Sequence, residues 1–222
     1  MRYTFDFGAV LDRAPELLWG SLGTVGLALT GMLLALVIGL LGVVARTSKS
    51  EITRAAVIAF VEVVRNTPFL VQIFFIYFAL PLMGIRLNPT VTAIIALGIN
   101  GGAYAIEIIR GGIESVSRGQ IEAGFALGLH RADVFRLIVL KPALRAIYPS
   151  LTSQFIMLTL TTSVCTSIAA YELTSAAQRI ESDTFRSFEV YFTVTAIYLV
   201  ISSLMMGLFA LISRHYFNYP TR

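Results

Sequence analysis

Residues 118–145 read RGQIEAGFALGLHRADVFRLIVLKPALR, the longest polar interval in a chain that is otherwise mostly apolar. The stretch carries more local order than a loop needs. Ser117, three residues before Gln120, matches the S/T-x-x-E/Q pattern that caps a helix start. Ile121, Phe125 and Leu129 recur every four residues and line one face of a short helix. Gly128 falls where that helix should end, because glycine takes the left-handed conformation without a Cβ clash. Val134, Leu137 and Ile138 form the apolar stripe of a second helix, and Pro142 blocks its continuation or opens the next helix at N1. The pattern predicts helix, glycine turn, helix over residues 117–142, held between two very apolar spans. An ordered hairpin outside a bilayer is expected to be presented to a partner.

Working outward, the composition agrees with a membrane setting. Of the 222 residues 56% are hydrophobic and 14% charged, against about 25% charged in a soluble domain. Five charge-free intervals, at 17–45, 66–85, 87–106, 146–171 and 190–213, can each supply the roughly 20 residues that cross a bilayer. With helix ends allowed for, the spans are expected at about 17–45, 55–82, 88–112, 146–170 and 190–213. The fold class is therefore all-α, a single polytopic domain of five transmembrane helices over residues 1–222. Residues 1–16 look amphipathic and are expected along the membrane surface. Arg2, Asp6, Asp12 and Glu16 leave no uninterrupted apolar core for a cleavable signal peptide. Cys165 is the single cysteine, so no intrachain disulfide is expected.

The basic residues set the orientation. One set of loops holds Arg46, Lys49, Arg54, Arg118, Arg131, Arg136, Lys141, Arg145, Arg214 and Arg222; the other holds Arg2, Arg13, Arg86, Arg179 and Arg186. The richer set faces the cytoplasm by the positive-inside rule. The N-terminus is then outside, the C-terminus is cytoplasmic, and the hairpin is cytoplasmic. The net charge of +4 follows the membrane and does not indicate nucleic acid as a partner. Gly31, Ala35 and Gly39 repeat every four residues, a small-residue stripe that lets another helix of the same subunit approach closely. Residues 171–189 form the largest outward loop, and their mixed charge reads as a solvated surface rather than a docking site.

Polar groups inside spans are the candidate site residues. Glu62 with Arg65, and Glu107 with Arg110, are spaced three apart and share a helix face. Such charges face a cavity or each other: a structural ion-pair network, or a gate or substrate contact. At the midpoints of the spans stand Gln72, Asn100-Gly101-Gly102, Thr161-Thr162-Ser163 and Ser202-Ser203. Polar side chains at one depth suggest a midplane chamber, with the Gly101-Gly102 pair able to interrupt its helix and expose a positive N-terminal end. Serine and threonine can instead bond their own backbone, which is the reading adopted for Ser202-Ser203. The amides of Gln72 and Asn100 need outside partners, so these two, with Tyr104, are expected to line a translocation path.

Enzyme chemistry is not expected. Lys49 and Lys141 are the two lysines and neither follows a glycine, so a G-x-x-x-x-G-K-[ST] phosphate loop is absent and the chain should not hydrolyse ATP. His130 and His215 lack metal-ligand spacing, and no histidine lies in a span to serve a buried serine.

The motifs resemble a known family. Glu122-Ala123-Gly124, then Gly128, then Ile138 and Leu140 with a nearby proline, is similar to the EAA loop of ABC-importer permeases, E-A-A, three residues, G, nine residues, I-x-L-P. Gly124 replaces the second alanine, a change that loosens the helix by about 1 kcal/mol, and Pro142 comes one residue late, after Lys141. Residues 65–72, RNTPFLVQ, resemble the R-G-T-P-L-L-V-Q run of polar amino-acid permeases. Residues 103–113, AYAIEIIRGGI, match their A-Y-x-x-E-x-x-R-G-G-I run. In the fourth span many relatives read K-D-T-S-L where this chain has Leu160-Thr161-Thr162-Ser163-Val164. The resemblance implies a five-helix permease subunit of an ATP-driven importer for a polar amino acid or derivative in the bacterial cytoplasmic membrane. It implies a second permease subunit, two cytoplasmic ATPase subunits that carry the ATP and Mg, and an extracytoplasmic amino-acid-binding protein. Glu122, Ala123, Gly124 and Gly128 would then be the ATPase-coupling residues. Two other classes remain from the residues alone: an ion-coupled transporter using Glu62 or Glu107 as proton carrier, and a non-transporting membrane scaffold.

Overall fold

A computed structural model describes residues 4–216. Arg2 and Arg222, counted in the charge asymmetry, lie outside the described residues. The described chain is helical: α1 (Gly8–Leu11), α2 (Ala14–Arg46), α3 (Glu51–Arg65), α4 (Phe69–Leu82), α5 (Pro89–Glu114), α6 (Arg118–Ala126), α7 (Arg131–Asp133), α8 (Leu140–Thr161), α9 (Leu173–Thr184) and α10 (Ser187–Tyr216). A π-helical segment, Val134–Val139, joins α7 to α8, and a 3-10 segment, Thr162–Ile168, extends α8. Among the described residues four helices are long and apolar enough to cross a membrane, and the bent pair α3–α4 can make a fifth crossing.

The centre of the bundle is α5, which begins at Asn88, whose side chain accepts from the Val91 N–H at 2.8 Å, with Pro89 at the first helical position. The small-residue stripe of α2 lies against it. A Cβ on Gly31 would come within 2.9 Å of Leu97 Cβ, and one on Gly39 within 2.7 Å of Ala105 Cβ. The stripe is thus internal packing, as its reading from sequence expects. Gly101 and Gly102 serve the same end. A Cβ on Gly101 would meet Leu158 and Ala35, one on Gly102 would meet Ile38, and α5 runs through both without interruption. The expected helix break at Gly101-Gly102 is therefore absent: close packing on two sides, not a turn, requires these glycines.

The break falls elsewhere. The second span is not one helix over 55–82; α3 and α4 meet at 111°. Pro68 restricts Thr67 to non-helical conformations, Asn66 ends α3, and Pro68 itself is extended (ψ 137°) as it caps α4. The fourth span likewise starts earlier than 146. Arg131–Ile168 forms one 38-residue helical rod, so Pro142 neither stops the hairpin's second helix nor opens a new one. Pro142 lacks an N–H and would clash with the carbonyl four residues back in a regular helix; the wide turn at Val134–Val139 immediately precedes it. The rod tightens to 3-10 geometry at Thr162 and ends at Ala169 in a left-handed conformation (φ 60°).

At the opposite end of the bundle from α6, residues 171–189 do not form a solvated loop. Leu173, Ala177 and Ile180 of α9 pack with Leu17 and Val190, and buried Ala176 faces Gly20 of α2. Glu172 and Glu189 are fully buried, which requires bonded partners. Glu172 accepts from the backbone N–H of Thr174 (2.9 Å) and Ser175 (2.7 Å) and from the Tyr198 hydroxyl (2.8 Å). Glu189 accepts from the Asp6 N–H at 2.9 Å. That bond and the Phe5–Phe188 ring contact at 5.1 Å tie the N-terminal segment to α10, and Val10 is completely buried. The described part of the segment expected along the membrane surface is thus anchored to the bundle, while Phe5 and Leu11 stay exposed. Hydroxyls of Ser187 and Tyr191 hold the Glu181 carboxyl below the usual carboxylate range.

Candidate functional site

The Gln72 side chain bridges the sharp α3–α4 bend. The Gln72 amide nitrogen lies 2.7 Å from the Val64 carbonyl, 3.0 Å from the Thr67 carbonyl and 2.8 Å from Thr67 Oγ1. It thus donates to the Val64 carbonyl that α3 leaves open as it ends and to Thr67 within the bend. The Gln72 carbonyl accepts from Asn100 Nδ2 at 2.9 Å. Two residues selected for shared depth are therefore in direct contact, and they join the bend to α5. Asn100, Tyr104 and Glu107 follow one another by four and three residues on one face of α5, and the Arg65 guanidinium stacks over the Tyr104 ring at 5.1 Å. The bend residues Asn66, Thr67 and Pro68 were not singled out as site residues. Their signal was the proline preceded by two residues that bond readily to nearby backbone, as Asn66 Nδ2 and Thr67 Oγ1 do to the carbonyls of Glu62 and Val63.

The two Glu-x-x-Arg pairs behave differently. Glu107 accepts from Arg110 Nη2 at 2.7 Å and Nε at 3.2 Å, and pairs with Arg46 at the end of α2. Arg110 reaches on to Glu114 at 2.6 Å. The second pair does not form: among the described residues Glu62 and Arg65 share no salt bridge, both are exposed, and Arg65 turns to Tyr104 instead. Arg46 was read as a loop charge; the signal missed is that it is the first base after the charge-free run of 17–45.

Thr161, Thr162 and Ser163 lie where the rod narrows, and their hydroxyls donate to the carbonyls of Met157 (2.8 Å), Thr159 (2.8 Å) and Leu160 (2.7 Å). They do not join the Gln72–Asn100 cluster. Ser202 donates to Leu199 O at 3.1 Å, the backbone bonding expected of it.

The helix α6 lies against the start of the rod. Gly124 is buried, and a Cβ there would come 2.4 Å from Ile138 Cδ1 and 3.2 Å from Val134 Cγ2. Gly124 thus lets α6 approach the Val134–Ile138 face closely. Ser117 occupies the cap position but its side chain makes no capping bond; the capping box expected there is not formed. The C-terminal end does form as expected. Gly128 has φ 79°, its N–H donates to Phe125 O (2.9 Å), and the Leu129 N–H donates to Gly124 O (3.2 Å), the paired bonds of a glycine-terminated helix. Glu122, Ala123, Phe125 and Leu127 stand exposed. Phe125 therefore does not share the buried face with Ile121.

A bundle of membrane-length helices with a short helix clamped to the base of one of them defines a helical membrane permease component. The chain belongs to the family of binding-protein-dependent transport system inner membrane components, whose pattern matches residues 19–218. It is 40% identical over 200 residues to the glutamine transport system permease protein GlnP of Escherichia coli, covering 89% of this chain and 91% of that one. It is 34% identical over 210 residues to the L-cystine transport system permease protein TcyB of Bacillus subtilis, covering 94% and 89%. The crystal structure of an amino acid ABC transporter with histidines superposes with a TM-score of 0.90 at 31% identity, over 96% of this chain and all of that one. The methionine transporter MetNI in an inward-facing form shares the fold, with a TM-score of 0.73 at 21% identity over 93% and 96% of the two chains. These likenesses place the chain with ABC-importer permeases and not with ion-coupled carriers. Glu107, offered above as a proton carrier, is held between two arginines.

Proposed function

We propose that this chain is the permease subunit of an ATP-driven importer that moves a polar amino acid or derivative into the bacterial cytoplasm. The observation that carries the reading is α6. Its buried glycine fixes it to the rod, and its exposed residues Glu122, Ala123 and Phe125 are offered to a partner. That partner is the cytoplasmic ATPase, one subunit for each of two permeases, which carries ATP and Mg; the substrate arrives on an extracytoplasmic amino-acid-binding protein. The N-terminus is outside and α6 cytoplasmic. Closure of the ATPases pushes α6. Because Gly124 seats directly on Ile138, the push passes into the rod Arg131–Ile168 and then to α5, against which Ile147 packs at Gly112. The bundle then switches between two discrete arrangements.

The path runs beside Gln72, Asn100, Tyr104 and Glu107 at the α3–α4 bend, with Thr161, Thr162 and Ser163 on the rod. Amide groups and an aromatic face suit a zwitterion with a polar side chain better than a strongly charged one. Reconstitution with the ATPase and binding protein tests the reading. Uptake of a labelled polar amino acid into vesicles should require ATP. Uptake by the chain alone, driven by a proton gradient without nucleotide, refutes it.

A further inference from the structure

We propose that the cleft between α2, α5 and α8, at the end of the bundle that carries α6, is a phospholipid site. It takes one acyl chain in its interior and an anionic headgroup on its rim. The cleft has a volume of about 510 Å³ and a lining that is almost wholly apolar, with Val44 on one wall, Leu144 on the other and Ile113 behind. Thr47, at the end of α2, and Leu140, at the start of α8, line it towards the α6 end of the bundle, and Leu36 and Leu151 line it further along the same helices. Thr47 lies eleven positions beyond Leu36, about 16 Å along a helix. That matches the roughly 15 Å of hydrocarbon in one leaflet, half of a core about 30 Å thick. A second hollow of about 320 Å³ shares Leu36 and Leu151 with it and continues along α2 and α8.

The rim supplies the charge that a lipid headgroup needs. Residues 131–151 carry Arg131, Arg136, Lys141 and Arg145 against Asp133 alone, and Lys49 follows Thr47. Lys141 is exposed and directly follows Leu140 of the lining. An apolar slot one leaflet deep, with cations at its α6 end, fits an anionic phospholipid and gives a zwitterionic one no equivalent attraction. Val44 and Leu144 are 69% and 44% exposed, so a chain can enter sideways from the bilayer.

The test uses the full-length chain in vesicles of equal parts phosphatidylcholine and phosphatidylglycerol. A photoreactive group is placed at the end of one acyl chain of either lipid. The phosphatidylglycerol probe should label peptides containing Leu36 and Leu151 at least fivefold above the phosphatidylcholine probe. Lys141→Gln should lower that labelling about fivefold, the effect of one cation near an anionic surface, and leave phosphatidylcholine labelling unchanged. Val44→Trp with Leu144→Trp should fill the slot and abolish labelling by both. Equal labelling by the two probes, labelling that survives the paired tryptophans, or cross-linking of these residues to a second copy of the chain in place of lipid overturns the proposal. Lys141→Gln changes an exposed residue, so its result stands whether or not the tryptophan variant folds.

Discussion

The adjacent glycines Gly111 and Gly112 offer a controlled test of how α5 meets the rod. A Cβ on Gly111 finds nothing within 4 Å. A Cβ on Gly112 would sit 1.9 Å from Ile147 Cγ2 and 3.1 Å from the Ala143 carbonyl. Ile147 is branched at Cβ, so its Cγ2 cannot swing clear as a chain end could. Gly111→Ala should gain about 1 kcal/mol of helix propensity. Gly112→Ala gains the same but forces two helices apart, at an overpacking cost of about 1–3 kcal/mol. The second variant should therefore melt roughly 2–12 °C below the first, at about 2–4 °C per kcal/mol for a chain of this size. Thermal unfolding of the detergent-purified variants, followed by circular dichroism, reads the difference. Adding Ile147→Ala to Gly112→Ala removes the offending methyl and should restore about 0.5–3 kcal/mol as a coupling term. Equal melting of the two glycine variants would refute the α5–α8 packing and, with it, the route by which α6 acts on the site.

Three further outcomes are expected. Asn100→Leu or Gln72→Leu should leave ATPase co-purification intact and reduce substrate-stimulated ATP hydrolysis, with Gln72→Leu also lowering stability by about 1–3 kcal/mol through the unpaired carbonyls at the bend; normal transport by both would place the path elsewhere. Ala123→Trp should not change the melting temperature, because Ala123 is exposed, yet should release the ATPase subunit. Gly128→Asp should do the same with an added left-handed penalty of about 1–2 kcal/mol, both read by co-purification normalised to membrane level. Glu172→Ala should destabilise by about 1–3 kcal/mol by stranding the donors of Thr174, Ser175 and Tyr198, with Glu172→Gln retaining part of the loss; unchanged unfolding of both would refute the capping role.

The parts of this fold legible in sequence are those written in local patterns. Gly128 announced its own positive φ, and the Gly31–Ala35–Gly39 stripe announced close helix contact. Gln72 and Asn100 were paired through depth alone, and depth suffices because amides of this kind need partners. What sequence could not give is how elements meet in space. Gly101-Gly102 and Pro68 are both helix-weakening signals; α5 is straight at the first because neighbours press on both sides, and α3–α4 is bent at the second, where Gln72 bridges the ends. Glu172 and Glu189 looked like loop charges because burial by α9 and the N-terminal segment is a long-range event. Glu62 and Arg65 share a helix face, but Tyr104 on another helix takes the arginine.

The π-helical turn at Val134–Val139 has a consequence for phase. A turn closed by i→i+5 bonds holds one residue more than a regular turn. The extra residue of the turn is absorbed within the rod, and both flanks keep their own partners. Val134 and Ile138 still meet Gly124, and Ile147 still meets Gly112. Deleting one residue here would restore a regular helix with both flanks still in phase, whereas deleting one from the regular stretch 140–146 would rotate everything beyond it by about 100°, turning Ile147 away from Gly112 while α6 stayed seated. A lever with one widened turn is thus keyed at both ends, and its length in residues is as much a coupling parameter as any side chain it carries.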